Sequence, residues 1–486
     1  MQDEESERIS LLSNPGTDKT WLKILKTVSV CFLWICFSSF SEIVGTVMPE
    51  LIYQTNTDYE IISQAVSMRG AGHAIGGVLG GISIDRWIQH VNLQVSVYLL
   101  VYTAISLTTA YCTEIILLYI LFAMQGTIET ILQICGQRIA MTTWKDKAAG
   151  PIHSLQIGYG IGALAIPQIV APYLNSELSG NTYSGNNITC HSKLQTTTVS
   201  TVTPYNTTVT PLQQEVNLSA RSMDSFQSPI TETYPPRYVD VYWMIGGLCI
   251  TLTLVFFALY IRDRRHTDFQ RHEGMQKVTF FKSLSCQNCS ASESHYAGLI
   301  VASMFLYFLI SVPLLRVFSK YIFSYARDGP CLNIQSATGI VSAFWAALTA
   351  GRFVAFVASS FIHMKYILQV EVCGAIASTI GLYFYHKNIT VLWVLCPTMG
   401  FFIGPIIPSM FAWANNYIEV TSTAQIVPQL GAAVGDVVSL FTLGYSYKNY
   451  GPYVIWTYQL VLSAAIVATV WVMQILGSLH GERYQN

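Results

Sequence analysis

Twelve apolar runs of about 20 residues or more constrain this chain before any motif is read. Crossing ~30 Å of hydrocarbon at ~1.5 Å per residue takes about 20 residues of helix. Runs of that kind fall near 24–48, 61–84, 94–112, 114–137, 151–174, 240–261, 296–317, 334–359, 366–385, 391–413, 425–445 and 453–477. Only 11% of the 486 residues are charged and 52% are hydrophobic, whereas a soluble protein carries about 25% charged residues. The expected fold class is therefore all-α, a polytopic protein whose main partner is the lipid bilayer. The 26 Lys and Arg nearly balance the 27 Asp and Glu, so no electrostatic footprint for nucleic acid is expected.

Orientation follows from the positive charge. The connection after the sixth run holds Arg262, Arg264, Arg265, Arg271, Lys277 and Lys282, the densest basic segment, which the positive-inside rule places in the cytosol. With twelve crossings both termini are then cytosolic, and the connection 175–239 lies outside. That connection is rich in Ser, Thr, Asn and Pro and carries acceptor sequons at Asn187, Asn206 and Asn217. The division reads as a cytosolic tail at 1–23, an N-terminal six-helix half at 24–261, a cytosolic linker at 262–295, a second half at 296–477 and a tail at 478–486. The acidic stretch from Asp3 to Glu7 is unlike a signal peptide, so the first run is expected to stay in the protein. A dileucine-like segment ends at Leu11-Leu12 and would act as a receptor-read sorting address. Plasma membrane is the expected location, with endolysosomal membrane as the alternative.

The two halves carry an internal match. Gln156, Gly158 and Gly162 of the fifth run recur as Gln429, Gly431 and Gly435 of the eleventh, an offset of 273. Glycines four apart suit helices whose backbones approach closely. At the cytosolic end of the second run, Gly76-Gly77-Val-Leu-Gly80-Gly81-Ile-Ser-Ile-Asp85-Arg86 resembles the signature turn of the major facilitator superfamily. Trp144 through Pro151, His153, Gln156, Gly162 and Pro167 are similar to the branch holding sodium-dependent glucose transporters and fucose/proton symporters. Gly45 to Leu51, Pro405 to Trp413 and Gly435-Asp436 match the same branch.

The resemblance implies twelve helices in two pseudo-symmetric six-helix halves, a gate at Asp85 and Arg86, and a cavity lined by the first, fourth, seventh and tenth helices. It implies a secondary active transporter of a small polar solute, a sugar such as glucose, coupled to sodium or protons and working as a monomer without a further cofactor. Ser311 stands where the branch carries an acid, which leaves open a non-sugar solute or a membrane protein that keeps the fold as a receptor or interaction partner.

Read without the family, the polar residues point to the same interior. Gln125, Glu129, Gln133 and Gln137 are spaced four apart and share one face of the fourth helix. A central acid costs ~2.5–3.5 kcal/mol on insertion scales, so this face is expected to line water or a solute path, with a ladder to a neighbouring helix as the other reading. Ser38, Glu42 and Thr46, and Ser303, Tyr307 and Ser311, form shorter stripes. Glu42 and Arg69 share a depth and are expected to pair, as a brace or as a titrating site. A contact of His73 with Asp436 across the halves is conceivable, and His153 with Gln156 marks the cytosolic mouth. Glu129 is the expected coupling residue, with Glu42 and Asp436 next.

The chain shows neither a metal-ligand cluster nor a nucleophile with a paired base, and no phosphate-binding loop. An enzyme is not expected. The Cys286 and Cys289 pair lacks the remaining ligands of a zinc site. On the outer side Cys112, Cys190 and Cys331 allow one disulfide of open connectivity. The topology makes one outcome specific: glycosidase treatment should increase the gel mobility of the expressed protein through Asn187, Asn206 or Asn217. Unchanged mobility together with a cytosolic tag readout from 175–239 would reverse the orientation.

Overall fold

A computed structural model describes residues 20–87, 90–144, 149–175, 236–267, 291–417 and 426–480. Among the described residues the long helices make twelve crossings. The first six are Thr20–Thr46, Tyr59–Arg86, Val91–Tyr111, Ile115–Trp144, Ala149–Val170 and Val239–Thr267. The second six are Ala291–Asp328, Ile334–Ala358, Met364–Tyr385, the pair Ile389–Ile403 and Ile406–Asn415, Ile426–Tyr450 and Val454–His480. A short helix, Met48–Gln54, follows the first span.

Among the described residues, eleven of the twelve hold an 18-residue stretch apolar enough to qualify as a span by length and hydropathy. The exception is the second, whose glycines, serines and Asp85 dilute its hydrophobicity. Its place in the bundle is set by packing instead. The tenth span breaks at Gly404-Pro405, because proline offers no backbone N–H to continue the ladder. The seventh runs 38 residues, to Asp328, well past the 317 expected from a 20-residue crossing.

Packing repeats between the halves. The second span lies against the fourth as the eighth lies against the tenth. The first packs on the fifth as the seventh packs on the eleventh, and the third on the sixth as the ninth on the twelfth. Across the halves the second meets the eleventh and the fifth meets the eighth. The Gly-rich repeat explains one of these correspondences atomically. A Cβ at Gly158 or Gly162 would collide with the carbonyl of Cys31 or Ile35. A Cβ at Gly431 or Gly435 would likewise collide with the carbonyl of Phe305 or Leu309. The 273-residue match is thus one backbone-on-backbone contact used twice.

Contacts between the halves concentrate at the end of the bundle that carries Tyr59 and Tyr447. Tyr59 and Tyr447 hydroxyls both donate to Asp328 Oδ2, at 2.8 and 3.0 Å, and Ser63 bonds Tyr321. Lys448 bridges Asp58 and Glu60 at 2.8 and 2.9 Å. Further inward, Gly70 packs against Ala433, Asp436 and Val437. Gly77 and Gly81, two and three turns later on the same face, have nothing within 4 Å of a would-be Cβ. The second and eleventh spans diverge toward the Arg86 end of the second, so the structure is closed at the Tyr59 end and splayed at the other.

The same geometry separates two kinds of glycine. Gly126→Val should lower the unfolding temperature in detergent, since a Cβ there meets the Arg69 carbonyl and overpacking costs ~1–3 kcal/mol. Gly77→Ala should be neutral or stabilising by up to ~1 kcal/mol through helix propensity. Equal losses from both would contradict the packing described.

Candidate functional site

Midway along the helices, charged and aromatic side chains from both halves form one layer. Each comes from a different helix because each is near the middle of its own span: His73, Glu129, Tyr159, Arg316, Trp345 and Asp436. On one side of the layer lie Arg69, Glu42 and Lys320; on the other lie Gln133, Gln156 and Arg352.

Two ion pairs hold the layer. Arg69 of the second span bonds Glu129 of the fourth through Nε at 3.1 Å and through its terminal nitrogen, and it also donates to the Tyr102 hydroxyl at 3.0 Å. Gln133 Nε2 donates to the other oxygen of Glu129 at 3.2 Å. Both members are almost fully buried, and all their partners belong to the N-terminal half.

The second pair joins the halves. Lys320 Nζ of the seventh span donates to Glu42 Oε2 at 3.0 Å and to the Ser41 carbonyl at 2.6 Å on the first. Tyr159 of the fifth span donates to Glu42 Oε1 at 3.0 Å, as does the Ser41 hydroxyl at 3.1 Å. Arg316, one turn before Lys320, reaches Glu42 only at 4.0 Å and Ser41 Oγ at 3.4 Å. The first and seventh spans can approach this closely because a Cβ at Gly45 would already touch the Lys320 backbone.

The expected Glu42–Arg69 pair is therefore not formed. Depth brings both residues to the same level, but the face of each helix decides the partner: Glu42 points to the seventh span and Arg69 to the fourth. His73 Nδ1 bonds Thr130 Oγ1 at 2.8 Å rather than Asp436. Asp436 is buried, and its Oδ1 has no hydrogen-bond partner. It lies in the field of Arg316, Lys320 and Arg69.

The fourth-span stripe divides. Glu129 and Gln133 reach the charged layer, while Gln125 turns to Ser106 and Thr109 of the third span at 3.1 and 3.3 Å. Tyr307 is buried with its hydroxyl on the Ile406 carbonyl at 2.9 Å, and Ser311 and Thr46 hydroxyls are buried without partners. Gln156 Oε1 accepts from Arg352 at 3.3 Å. The side chains of His153, Asp85 and Arg86, the sequon residues Asn187, Asn206 and Asn217, and Cys190, Cys286 and Cys289 lie outside the described residues. Cys331 is disulfide-bonded and Cys112 is free, which removes Cys112 from the connectivities considered. No group of three or more His, Cys, Asp or Glu suited to a metal occurs among the described residues.

Sequence reasoning missed Arg316, Lys320 and Arg352. The signal was present for the first two: they stand four apart in a run that stays apolar through Tyr325, and ending the seventh span at 317 hid it. Glu371, buried in the ninth span and accepting from Ser409 Oγ at 2.7 Å, was also missed. Outside the spans, burial pushes the Glu50 carboxyl up to about 7, although the Asn175 backbone N–H donates to it at 2.7 Å. Relative to a solvated carboxyl, this environment holds the proton. The packing around Glu50 is favoured below that pH and weakened as pH rises through it.

No protein-family model matches the chain. It is 23% identical to sodium-dependent glucose transporter 1 of Danio rerio, across 94% of this chain and 70% of that one. It is 20% identical to major facilitator superfamily domain-containing protein 4A of Mus musculus, across 86% of each. Among solved structures it is similar to a partially occluded inward-open form of the xylose transporter XylE from E. coli. The TM-score is 0.62 at 11% identity, covering 96% of this chain and 99% of that one. The chain has the major facilitator fold and is an integral, multi-pass membrane protein whose relatives are transporters.

The pairing scheme makes a stability test. Arg69→Gln should cost ~3–5 kcal/mol, because it strands a buried carboxylate. The Arg69→Gln, Glu129→Gln double variant should be more stable than the sum of the single losses requires, by ~1–3 kcal/mol. Arg69→Gln combined with Glu42→Gln should be additive. Coupling in the second combination and none in the first would refute the assignment.

Proposed function

We propose that this chain is a secondary active transporter of a small polar solute, a sugar such as glucose, coupled to sodium or protons at the plasma membrane and active as a monomer. The observation that carries the reading is the Glu42–Lys320 bond between the first and seventh spans, which ties the two halves together on the closed side. Rocking the halves to open the outer side separates those spans and strands Glu42. An ionised carboxylate at that depth is costly alone, and a sodium ion or proton entering from outside supplies the missing positive charge. Release inward follows when Lys320 returns and displaces the cation.

This favours Glu42 over Glu129 as the coupling group. Glu129 keeps its counter-charge within one half, so rocking need not change its pairing. Gln133, Gln156, His153, Arg69 and Asp436 then serve as the polar lining, Gln125 braces the fourth span against the third, and Asp85 with Arg86 forms the cytosolic gate. The second reading, a receptor or interaction partner on a transporter fold, draws on Ser311, whose buried hydroxyl lacks a partner where the resembled branch carries an acid.

Uptake of radiolabelled glucose into proteoliposomes under an imposed sodium or proton gradient tests the proposal. Accumulation should collapse when the gradient is dissipated. Glu42→Gln should abolish accumulation while leaving counterflow exchange measurable, because the amide removes the charge and keeps the shape. Retained accumulation in Glu42→Gln, with loss in Glu129→Gln, would return coupling to Glu129.

A further inference from the structure

The ninth span buries an acid that lies outside the central layer. Glu371 is 4% exposed, accepts one hydrogen bond from Ser409 Oγ at 2.7 Å, and has no partner at its other oxygen. No ion pair of Glu371 occurs among the described residues. The elements packed most closely on the ninth span are the two segments of the tenth and the twelfth. Within 389–415 and 454–480 the sequence holds no Lys, Arg, Asp or Glu, and its titratable residues are Cys396, Tyr458 and His480, the last closing the twelfth span. Tyr307 of the seventh span lies in the carboxyl's field, but its hydroxyl donates to the Ile406 carbonyl at 2.9 Å. On the ninth span itself, Lys365 stands six residues earlier with its ammonium over the Tyr366 ring, 5.1 Å from the centroid.

An ionised carboxylate without a counter-charge is costly in such surroundings, and binding a proton removes the charge. A metal cation fits less well, because it asks for several oxygen ligands, and Ser409 supplies the one hydrogen bond that the carboxylate makes among the described residues. The other half fills the corresponding place with a neutral side chain. Ser409 follows Cys135 by 274 residues, the offset that also relates Gly400 to Gly126, and Cys135 Sγ donates to the Gln94 amide oxygen of the third span at 3.7 Å. A protonated Glu371 is the neutral counterpart of that amide between the ninth and tenth spans.

Ser409 belongs to Ile406–Asn415, the ten-residue segment beyond the Gly404–Pro405 break. Because the backbone ladder is interrupted at the proline, the segment relies on side-chain contacts to stay docked. Among the described residues, Glu371 and Tyr307 are the two polar side chains of other spans that bond it. We propose that Glu371 is a proton-binding site that latches this segment. The protonated acid keeps Ser409 and its segment against the ninth span; release of the proton charges Glu371 and drives the segment off, so that water reaches the carboxylate. The inference stands apart from the Glu42 cycle and from any choice of solute.

Hydrogen–deuterium exchange and infrared spectroscopy on the full-length protein in nanodiscs provide the test, with the proton as the only ligand varied. Amide protection across 406–415, corrected for the intrinsic pH dependence of exchange, should fall at least about tenfold between about pH 6 and about pH 9, since an opening that releases one proton shifts by up to ~tenfold per pH unit. At the acid end of that range the unmodified protein should show a protonated-carboxyl C=O band that is missing in Glu371→Gln. In Glu371→Gln, whose amide keeps the neutral shape, protection should stay high and lose its pH dependence. The exchange measurement on the unmodified protein needs no variant to fold. Protection that is flat with pH in the unmodified protein overturns the latch, and so does a pH dependence that Glu371→Gln retains in full. Infrared spectra of the two proteins that do not differ by that band overturn the proton site itself.

Discussion

Glu42 cannot remain ionised and unpaired at its depth in a bilayer, and in this structure its counter-charge comes from the opposite half of the molecule. That single bond links the hydrophobic cost of charge to the position of the halves. With Lys320 in place, the first and seventh spans stay together at this end of the bundle, and around them Tyr59, Tyr447 and Asp328 complete the closure. In the proposed transport cycle a mobile cation takes the place of Lys320 at Glu42 when the halves separate, so that the carboxylate is not left alone.

For that exchange to move anything, each half must behave as a body. Glycine contacts supply the stiffness. In the N-terminal half, Gly72, Gly76 and Gly126 press the second and fourth spans together backbone to backbone; in the C-terminal half, Gly351, Gly400 and Gly404 do the same for the eighth and tenth. Lipid provides no hydrophobic drive between helices, so close van der Waals packing of this kind carries the association. Between the halves the glycine contacts thin out inward, from Gly444 and Gly70 to the open faces of Gly77 and Gly81. The joint between halves is therefore able to reopen, and the contacts within each half are not.

Much of this was legible in the sequence because the bilayer reduces fold to length and polarity. Twelve runs gave twelve crossings, and the Gly158/Gly431 match anticipated a contact that recurs in both halves. The rule failed where polarity serves packing, as in the second span, and where a helix outruns the bilayer, as in the seventh. Pairing was less legible. Sequence spacing fixes how deep Glu42 and Arg69 sit but not which way each faces, and azimuth is set by how neighbouring helices pack. Hence the depth argument found the right level and the wrong partners. Arg352 was legible as a charge inside the 334–359 run, but its acceptors, Gly404 and Gln156, were not, since they come from two other helices.

The central claim is that the Glu42–Lys320 bond keeps the outer side shut and that a cation at Glu42 releases it. The direct measurement is a pulsed electron–electron distance between spin labels at Thr113 and Thr390, introduced as unnatural residues on the exposed outer rims of the two halves. Lys320→Gln should shift the distance distribution outward relative to the unmodified protein, and addition of sodium or protons should shift the unmodified protein in the same direction. A distribution that is unchanged by Lys320→Gln, and equally indifferent to the cation, would contradict the account.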